Sequence, residues 1–403
     1  MVLERALDRS PRWLRRWATG ITRGRGLLGA VYDRVAHPFS TDAVPELPPV
    51  PTTPVRLVIG PANTAGQGYE WARSVERSLP DVSALAVMGL GDIGFGAHAD
   101  VRMPSAVYLR SSAWHRAFEQ FLGQCTHVII ESALPLLGRR YGTDVAAEVA
   151  ALRDAGLQVA LIFHGSDVRV PSQHQRENPW SPFAHPQVPS TILEDKTVEA
   201  IAAVAALEVA AFVSTPDLLR YVPGSIWCPL AIDVARWRTD RTAAERSADR
   251  LPVVLHAPSK PLIKGSHRVE PVLLALEAEG LIEYRRLQGV AHGDMPRLYA
   301  EADIVLDQFL IGSYGVAACE AMAAGCVVIG HVDEVTRRSV VDLTATEVPI
   351  VEATVDSLDH VLRSVIAEPV ETTIARRESA VRFVESVHDG RRSAESLRGF
   401  LGV

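Results

Sequence analysis

Cysteine is scarce in this chain of 403 residues: Cys125, Cys228, Cys319 and Cys326 are the four, and no two form a C-x-x-C pair. That spacing fits neither a disulfide framework nor a structural zinc site, so all four are expected as buried thiols in a reducing compartment. A strong excess of basic charge is also missing. The 41 Lys and Arg stand against 48 Asp and Glu, a net charge of −7, which argues against a nucleic-acid partner. No unbroken apolar run reaches the ~18 residues of a spanning helix. The longest candidates, around 198–213 and 317–329, carry Glu199, Glu208 and Glu320. The histidines show no HExxH or other paired spacing and no Asp-x-Asp stands beside a strand end, so neither a metal nor another cofactor is expected. The Arg-rich N-terminus lacks an apolar h-region with a cleavage site, which places the chain in the cytoplasm by expectation.

What is present is an ordinary globular composition, 47% hydrophobic and 22% charged, in a chain long enough for two cores. Residues 1–50 differ from the rest. Arg5, Arg9, Arg12, Arg15, Arg16, Arg23, Arg25 and Arg34 alternate with Leu7, Trp13, Leu14, Trp17, Ile21 and Leu27, and no acid lies between Asp8 and Asp33. Two readings of this arm stand: a helix lying on an anionic inner-membrane face, or a terminal helix that is solvated or packed elsewhere. A proline-rich stretch, 45–54, separates it from the body.

From Val55 onward, short β-branched runs alternate with helical patterns. Strands are predicted at 55–60, 84–88, 127–131 and 158–163, then at 253–256, 283–287, 304–306 and 327–330. Near-continuous apolar strands separated by helices indicate parallel sheets covered on both faces. The polar, proline-rich segment 171–190 reads as a long loop, a common place for function. The fold class is therefore α/β, with two Rossmann-like domains over 51–235 and 236–385. Residues 386–403 form a C-terminal helix that can cross back to the first domain. Ligands of such sheets bind beyond the carboxyl ends of the strands, which puts a site in the cleft between the domains.

The most informative stretch runs from Asp307 to Ile329. A strand ends, a loop holds Gly312 and Gly315, and a helix begins near Val316. Glycines let backbone approach a ligand, and a helix N-terminus offers free N–H groups to an anion such as a diphosphate. Glu320 lies about one turn into that helix, where a carboxylate can accept from two sugar hydroxyls. Taken alone, the same residues also describe a glycine-rich turn with a surface glutamate.

Tyr314-Gly315, Glu320-Ala321-Met322-Ala323, Gly325 and Val328-Ile329 resemble the nucleotide-sugar motif of GT-B retaining glycosyltransferases of the family-4 type, glycosyl transferases group 1. The resemblance implies that Glu320 binds the ribose hydroxyls and that the loop Gly312, Ser313, Tyr314, Gly315 and Val316 meets the phosphates or sugar through its amides. Gly312 stands where the family's E-x7-E pattern has its first glutamate, a departure that shifts sugar orientation to other groups. The segment from His256 to Gly265 is similar to the family's basic loop, which gives Lys264, with Ser259, Lys260 and Gly265, a diphosphate-neutralising role. In the first domain, Leu161 to Arg169 resembles the "HG.D.R" segment, placing His164 against the donor sugar and Asp167 and Arg169 on the acceptor side. By the same resemblance Gly66 and Gly68 lie in an acceptor-side glycine loop, and Val290 and His292 hold the base. The implied activity is metal-independent hexosyl transfer from a nucleotide-diphosphate sugar to an acceptor sugar, lipid-linked glycan or small molecule. A nucleotide-sugar 2-epimerase and a non-catalytic nucleotide-sugar-binding subunit are the alternatives. Gly89 to Gly94 is a formal GxGxxG, but no helical period follows and no acid stands at ribose-reading distance, so it reads as a glycine-rich loop and not an NAD site.

Overall fold

The computed structural model describes residues 7–22, 26–38, 43–89, 98–142, 144–239 and 250–403. All of the GxGxxG segment beyond Gly89 lies outside them. Two parallel sheets form the body. The first contains β1 (Val55–Gly60), β2 (Val82–Met88), β3 (Val101–Arg102), β4 (His127–Glu131), β5 (Gln158–Phe163), β6 (Ala210–Val213) and β7 (Ile226–Trp227), in the order β3-β2-β1-β4-β5-β6-β7. The second contains β8 (Val253–His256), β9 (Glu283–Arg286), β10 (Ile304–Leu306), β11 (Val327–Gly330) and β12 (Val351–Glu352), in the order β12-β11-β10-β8-β9. Every strand pair is parallel, so each crossover must carry a helix or long connection across a face.

Both orders reverse direction at one point. In the first sheet this switch lies between β1 and β4, with Gly60 opposite Ile130; in the second it lies between β8 and β10, with His256 opposite Leu306. Connections leave in opposite directions there and open a crevice at the strands' carboxyl ends. The loops that follow β1, β4, β8 and β10 therefore line the two crevices.

The strands are buried on both sides because their sequences are apolar at successive positions; Val58, Ile59, Val128, Ile130, Leu161 and Phe163 are all sealed from solvent. One core runs from the first sheet through Leu230, Ile232 and Trp237 to Tyr314, Phe383 and Val387 of the second half. After the Val370–Val387 helix the chain turns back, and the helix Arg391–Leu401 packs on the first sheet. Its Ala394, Leu397 and Leu401 join Leu57, Ile59 and Trp71 in a separate core, and Phe400 meets the rings of His127 and Phe212 edge-on. Truncating Leu397, which is fully buried, costs about 2–5 kcal/mol.

Two sequence expectations need correction. Segment 171–190 is not a loop throughout: it holds the helix Pro171–Glu177 and a 3-10 turn at Pro182–Ala184. Lys264 likewise ends a short helix, Pro261–Lys264. In all three, proline occupies the first turn, where its fixed φ and missing N–H favour a helix start.

Candidate functional site

The second-domain crevice is built by two loops held together through one acid. The helix Pro261–Lys264 stops at Gly265, whose φ of +87° and whose position, with an added Cβ only 2.9 Å from Leu310 Cγ, admit no side chain. That stop presents the Lys264 ammonium to Asp307, at 2.8 Å from Oδ1. Asp307 is buried at the carboxyl end of β10, and its Oδ2 accepts from the Gly315 amide at 3.3 Å. Gly315 precedes the helix Val316–Ala323, and a Cβ there would meet nothing within 4 Å. An open backbone, a half-buried helix start and a fixed ammonium thus share one edge.

One turn into this helix, Glu320 is buried and its Oε1 accepts from His292 Nε2 at 2.7 Å. His292 comes from the turn after β9 and has the Trp237 ring edge-on at 5.2 Å. Burial pushes the Glu320 carboxyl up, opposed by His292 and by the fields of Arg236 and Lys264. Val290 is half-buried beside His292, while Ser259 and Lys260 are exposed on the rim.

The other loop residues point elsewhere. The Tyr314 ring is fully buried, with its hydroxyl 3.1 Å from His388 Nε2, and His388 Nδ1 donates to the Leu230 carbonyl at 2.8 Å. Ser313 is buried, and its carbonyl accepts from Gln308 Nε2. These two lend the crevice backbone only. At Gly312, φ is +74° and an added Cβ would lie 3.0 Å from Asp333 Oδ2. Asp333 caps the Glu334–Thr344 helix and pairs with Arg220 of the first domain at 2.9 Å. The place of the resembled family's first glutamate is therefore a left-handed turn wedged against another carboxylate.

The first-domain crevice centres on a residue that the sequence reading passed over. Glu131 ends β4 with no exposure; its Oε1 accepts from His164 Nε2 at 3.0 Å and its Oε2 from the Asn63 amide at 2.6 Å. His164 stacks on Trp71, ring centroids 5.5 Å apart. Burial alone lowers the His164 pKa, but the Glu131 hydrogen bond and charge, with Asp167, outweigh it and hold the value up. Gly66 has φ +76° where the loop enters the Gln67–Ser78 helix, and a Cβ on Gly68 would stand 3.2 Å from Asn63 Oδ1 and 3.4 Å from Glu131 Oε1. Asp167 accepts from the His164 and Gly165 amides and from the Ser132 hydroxyl, so it shapes the turn.

Arg169, expected on the acceptor side, is buried and bonds Asp217 through Nε at 3.1 Å and Nη2 at 2.5 Å. Asp217 lies in the first turn of the 3-10 helix Pro216–Arg220, where Thr215 makes no side-chain cap. The guanidinium is thereby committed to a buried ion pair.

Loops from the carboxyl ends of both sheets touch. His174 Nε2 donates to the Ile311 carbonyl at 3.0 Å, Asn178 Nδ2 to the Leu310 carbonyl at 3.1 Å, and Trp180 Nε1 to Asp356 at 2.7 Å. At the opposite side, Glu70 of the Gln67–Ser78 helix is raised by burial and feels Arg77, Asp233, Arg236 and Glu320. Glu70 and Arg236 are thus cleft residues without a motif to announce them. A lone acid closing an apolar strand, as in HVIIE or IVLD, was the available signal for Glu131 and Asp307. Among the described residues no cluster of three or more metal-ligating side chains occurs.

No protein-family model and no curated protein matches this chain. Solved structures do. A sucrose-phosphate synthase from Thermosynechococcus elongatus aligns over 85% of this chain and 97% of its own, with a TM-score of 0.52 and 11% identity. HepE from Anabaena in complex with UDP-glucose aligns over 86% of this chain and 99% of its own, with a TM-score of 0.53 and 12% identity. Both alignments run over nearly the full length of the solved chains.

The chain has the GT-B fold.

Within GT-B geometry the two crevices become halves of one cleft. Lys264, Gly265, His292, Gly315, Val316 and Glu320 gather on the second-domain side, with Ser259, Lys260 and Val290 at its rim. His164, Gly66 and Gly68 gather around Glu131 on the other side.

Proposed function

We propose that this protein is a glycosyltransferase that moves a sugar from a nucleoside-diphosphate sugar to an acceptor seated on the first domain. The observation that carries this is the convergence of Glu320, Lys264 and the open Gly315 backbone at the switch point of the second sheet. Glu320 has one oxygen engaged by His292, and no partner for Oε2 is found among the described residues, which suits a ribose diol. Lys264 sits where a leaving diphosphate would build negative charge, and a fixed cation there stabilises the departure without a metal ion. Gly315 and Val316 add backbone amides at a helix start. HepE, with the same fold, binds UDP-glucose, and this supports a nucleotide sugar as donor here. Retention of configuration follows the resembled family. The acceptor class is a sugar, a lipid-linked glycan or a small molecule, and the reaction is assigned to the cytoplasm.

His164 faces the cleft from the first domain and is held by Glu131. We assign it to the donor sugar, where it replaces part of the orientation that the glutamate missing at Gly312 would supply. Domain closure then excludes water from the reacting carbon.

The test begins with thermal shifts against UDP, GDP, ADP and their sugars. A selective rise, about 2.7 kcal/mol at a hundredfold excess over Kd, identifies the nucleotide. Release of nucleoside diphosphate from the selected donor follows. No shift with any nucleotide would sink the reading. Binding without release of free sugar or product would favour the non-catalytic alternative, which Gly312 and its wedged Asp333 make specific.

A further inference from the structure

The arm at the N-terminus presents an apolar and basic surface that the GT-B body does not use. It forms two helices, Arg12–Thr22 and Gly26–Ala36, packed against one another. Sixteen large apolar side chains are exposed among the described residues, and seven of them lie on these two short helices. Trp13 and Trp17, one turn apart, are 70% and 56% exposed; Leu27, Val31 and Val35, spaced along one face, are 89%, 59% and 77% exposed. Such concentration marks an interaction surface and differs from the scattered exposure elsewhere.

Charge on the arm is sorted by side. Both described acids turn inward: Asp8 accepts from the Ile192 amide at 2.9 Å, and Asp33 is ion-paired with Arg139. Arg15 joins them by pairing with Asp195 at 2.9 Å, which fixes the first helix on the Ser190–Leu207 helix. Arg9 and Arg34 are exposed, whereas Arg16 lies with Arg15 on the side that meets Ile192, Asp195 and Glu199. Eight arginines against three acids give residues 1–38 a net charge of +5, so the remainder of the chain carries −12 of the total −7. An anionic surface therefore repels the body and attracts the arm.

We propose that the outer face of this arm docks the protein on an anionic lipid bilayer, with Trp13, Trp17 and the Leu27–Val35 ridge in the headgroup region and Arg9 and Arg34 on lipid phosphates. No helix among the described residues is long and apolar enough to cross a membrane, and a helix pair lying in the interface needs no such length. A second copy is a poorer occupant, because a symmetric contact would bring the same arginines together. The inference rests on the arm alone and stands whether or not the cleft transfers sugar.

The experiment uses the full chain with vesicles of phosphatidylglycerol and phosphatidylcholine, compared with phosphatidylcholine alone, at about 100 mM salt. The protein should co-sediment with the first and not the second. Replacing Arg9 and Arg34 together by Gln should weaken binding about twenty-fivefold, at about fivefold per surface cation. Trp13→Ala with Trp17→Ala should weaken it about tenfold or more. Thermal midpoints of both variants should stay near wild type, since these side chains face solvent. Absence of binding to anionic vesicles overturns the proposal, as does equal binding by the variants. A dimer in light scattering that the Trp variant converts to monomer also overturns it, in favour of a second copy.

Discussion

Each side of the cleft holds a glutamate, a histidine and a tryptophan, yet the two trios are built to different ends. Glu131 uses both oxygens, one on His164 and one on the Asn63 amide, and His164 is stacked on Trp71 with 7% of its side chain exposed. Among the described residues Glu320 has a single hydrogen-bond partner, His292, whose side chain is 26% exposed and meets the Trp237 ring edge-on. The first trio ties three loops into one piece. The second leaves a carboxylate oxygen and an imidazole for something else. Similar composition therefore says little about role; the count of remaining hydrogen-bond capacity says more.

The comparison can be broken most decisively at Glu131. Glu131→Ala strands two buried donors, Asn63 N–H and His164 Nε2–H, and should destabilise the protein by about 2–5 kcal/mol in urea unfolding. Glu320→Ala strands only a partly exposed histidine and should cost less than about 1 kcal/mol of stability. It should instead weaken nucleoside-diphosphate binding by roughly ten- to a hundredfold, with a smaller loss for Glu320→Gln. In calorimetric titration, the penalty for a 2′-deoxyribonucleotide seen with wild type should vanish in Glu320→Ala. If the two penalties simply add, Glu320 does not touch that hydroxyl.

Lys264 lies between these extremes. Lys264→Ala removes the partner of a buried aspartate, so a stability loss of about 1–3 kcal/mol should accompany a ten- to hundredfold fall in turnover. Pairing it with Asp307→Asn should restore stability and leave turnover low. Recovery of both would make the pair structural alone.

Gly312→Glu sharpens the comparison from another side, since it restores the E-x7-E pattern of the resembled family. Here it should destabilise by about 1–3 kcal/mol and gain no turnover, because φ is +74° and Asp333 fills the space. A more active variant would show that the loop can rearrange.

Protonation offers a last handle on the comparison. Burial, aided by Arg169 at His174, lowers His174, His256 and His388 to about 4. An unfolded histidine binds its proton near 6.5, so between about 6.5 and 4 the unfolded chain holds more protons and stability falls as pH falls. Above that window their contribution is complete. His164 acts with the opposite sign, because its raised value gives stability below the unfolded pKa that is lost as pH rises through the folded one. Urea midpoints at pH 7 and 5 should differ, and His174→Gln should flatten the difference by up to about 2 kcal/mol. An unchanged slope would remove His174 from the set.

Much of this arrangement was legible from the residues. The apolar runs of β1, β4, β5, β8, β10 and β11 announced two parallel sheets, and glycine spacing marked the loop before the Val316–Ala323 helix. Strand order was not legible, because it depends on pairings between distant segments with no local signature. Glu131 and Glu70 escaped for a related reason: a single acid acquires meaning only when folding brings a distant histidine or arginine to it. Helix Pro171–Glu177 was lost to its proline, which opens the helix yet reads as a breaker. Arg169 looked available in sequence because its partner, Asp217, lies 48 positions away.

The return of the Arg391–Leu401 helix to the first sheet has a consequence for synthesis. On a ribosome, every strand of that sheet is complete by Trp227, but the cover for Leu57, Ile59 and Trp71 is still to be translated. At typical elongation rates the delay is roughly ten to thirty seconds. During that interval the nascent first domain carries an open apolar face, and the whole second domain must emerge before it can close. A chain released before Leu401 would keep the donor half of the cleft and lose the lid on the half that should hold the acceptor.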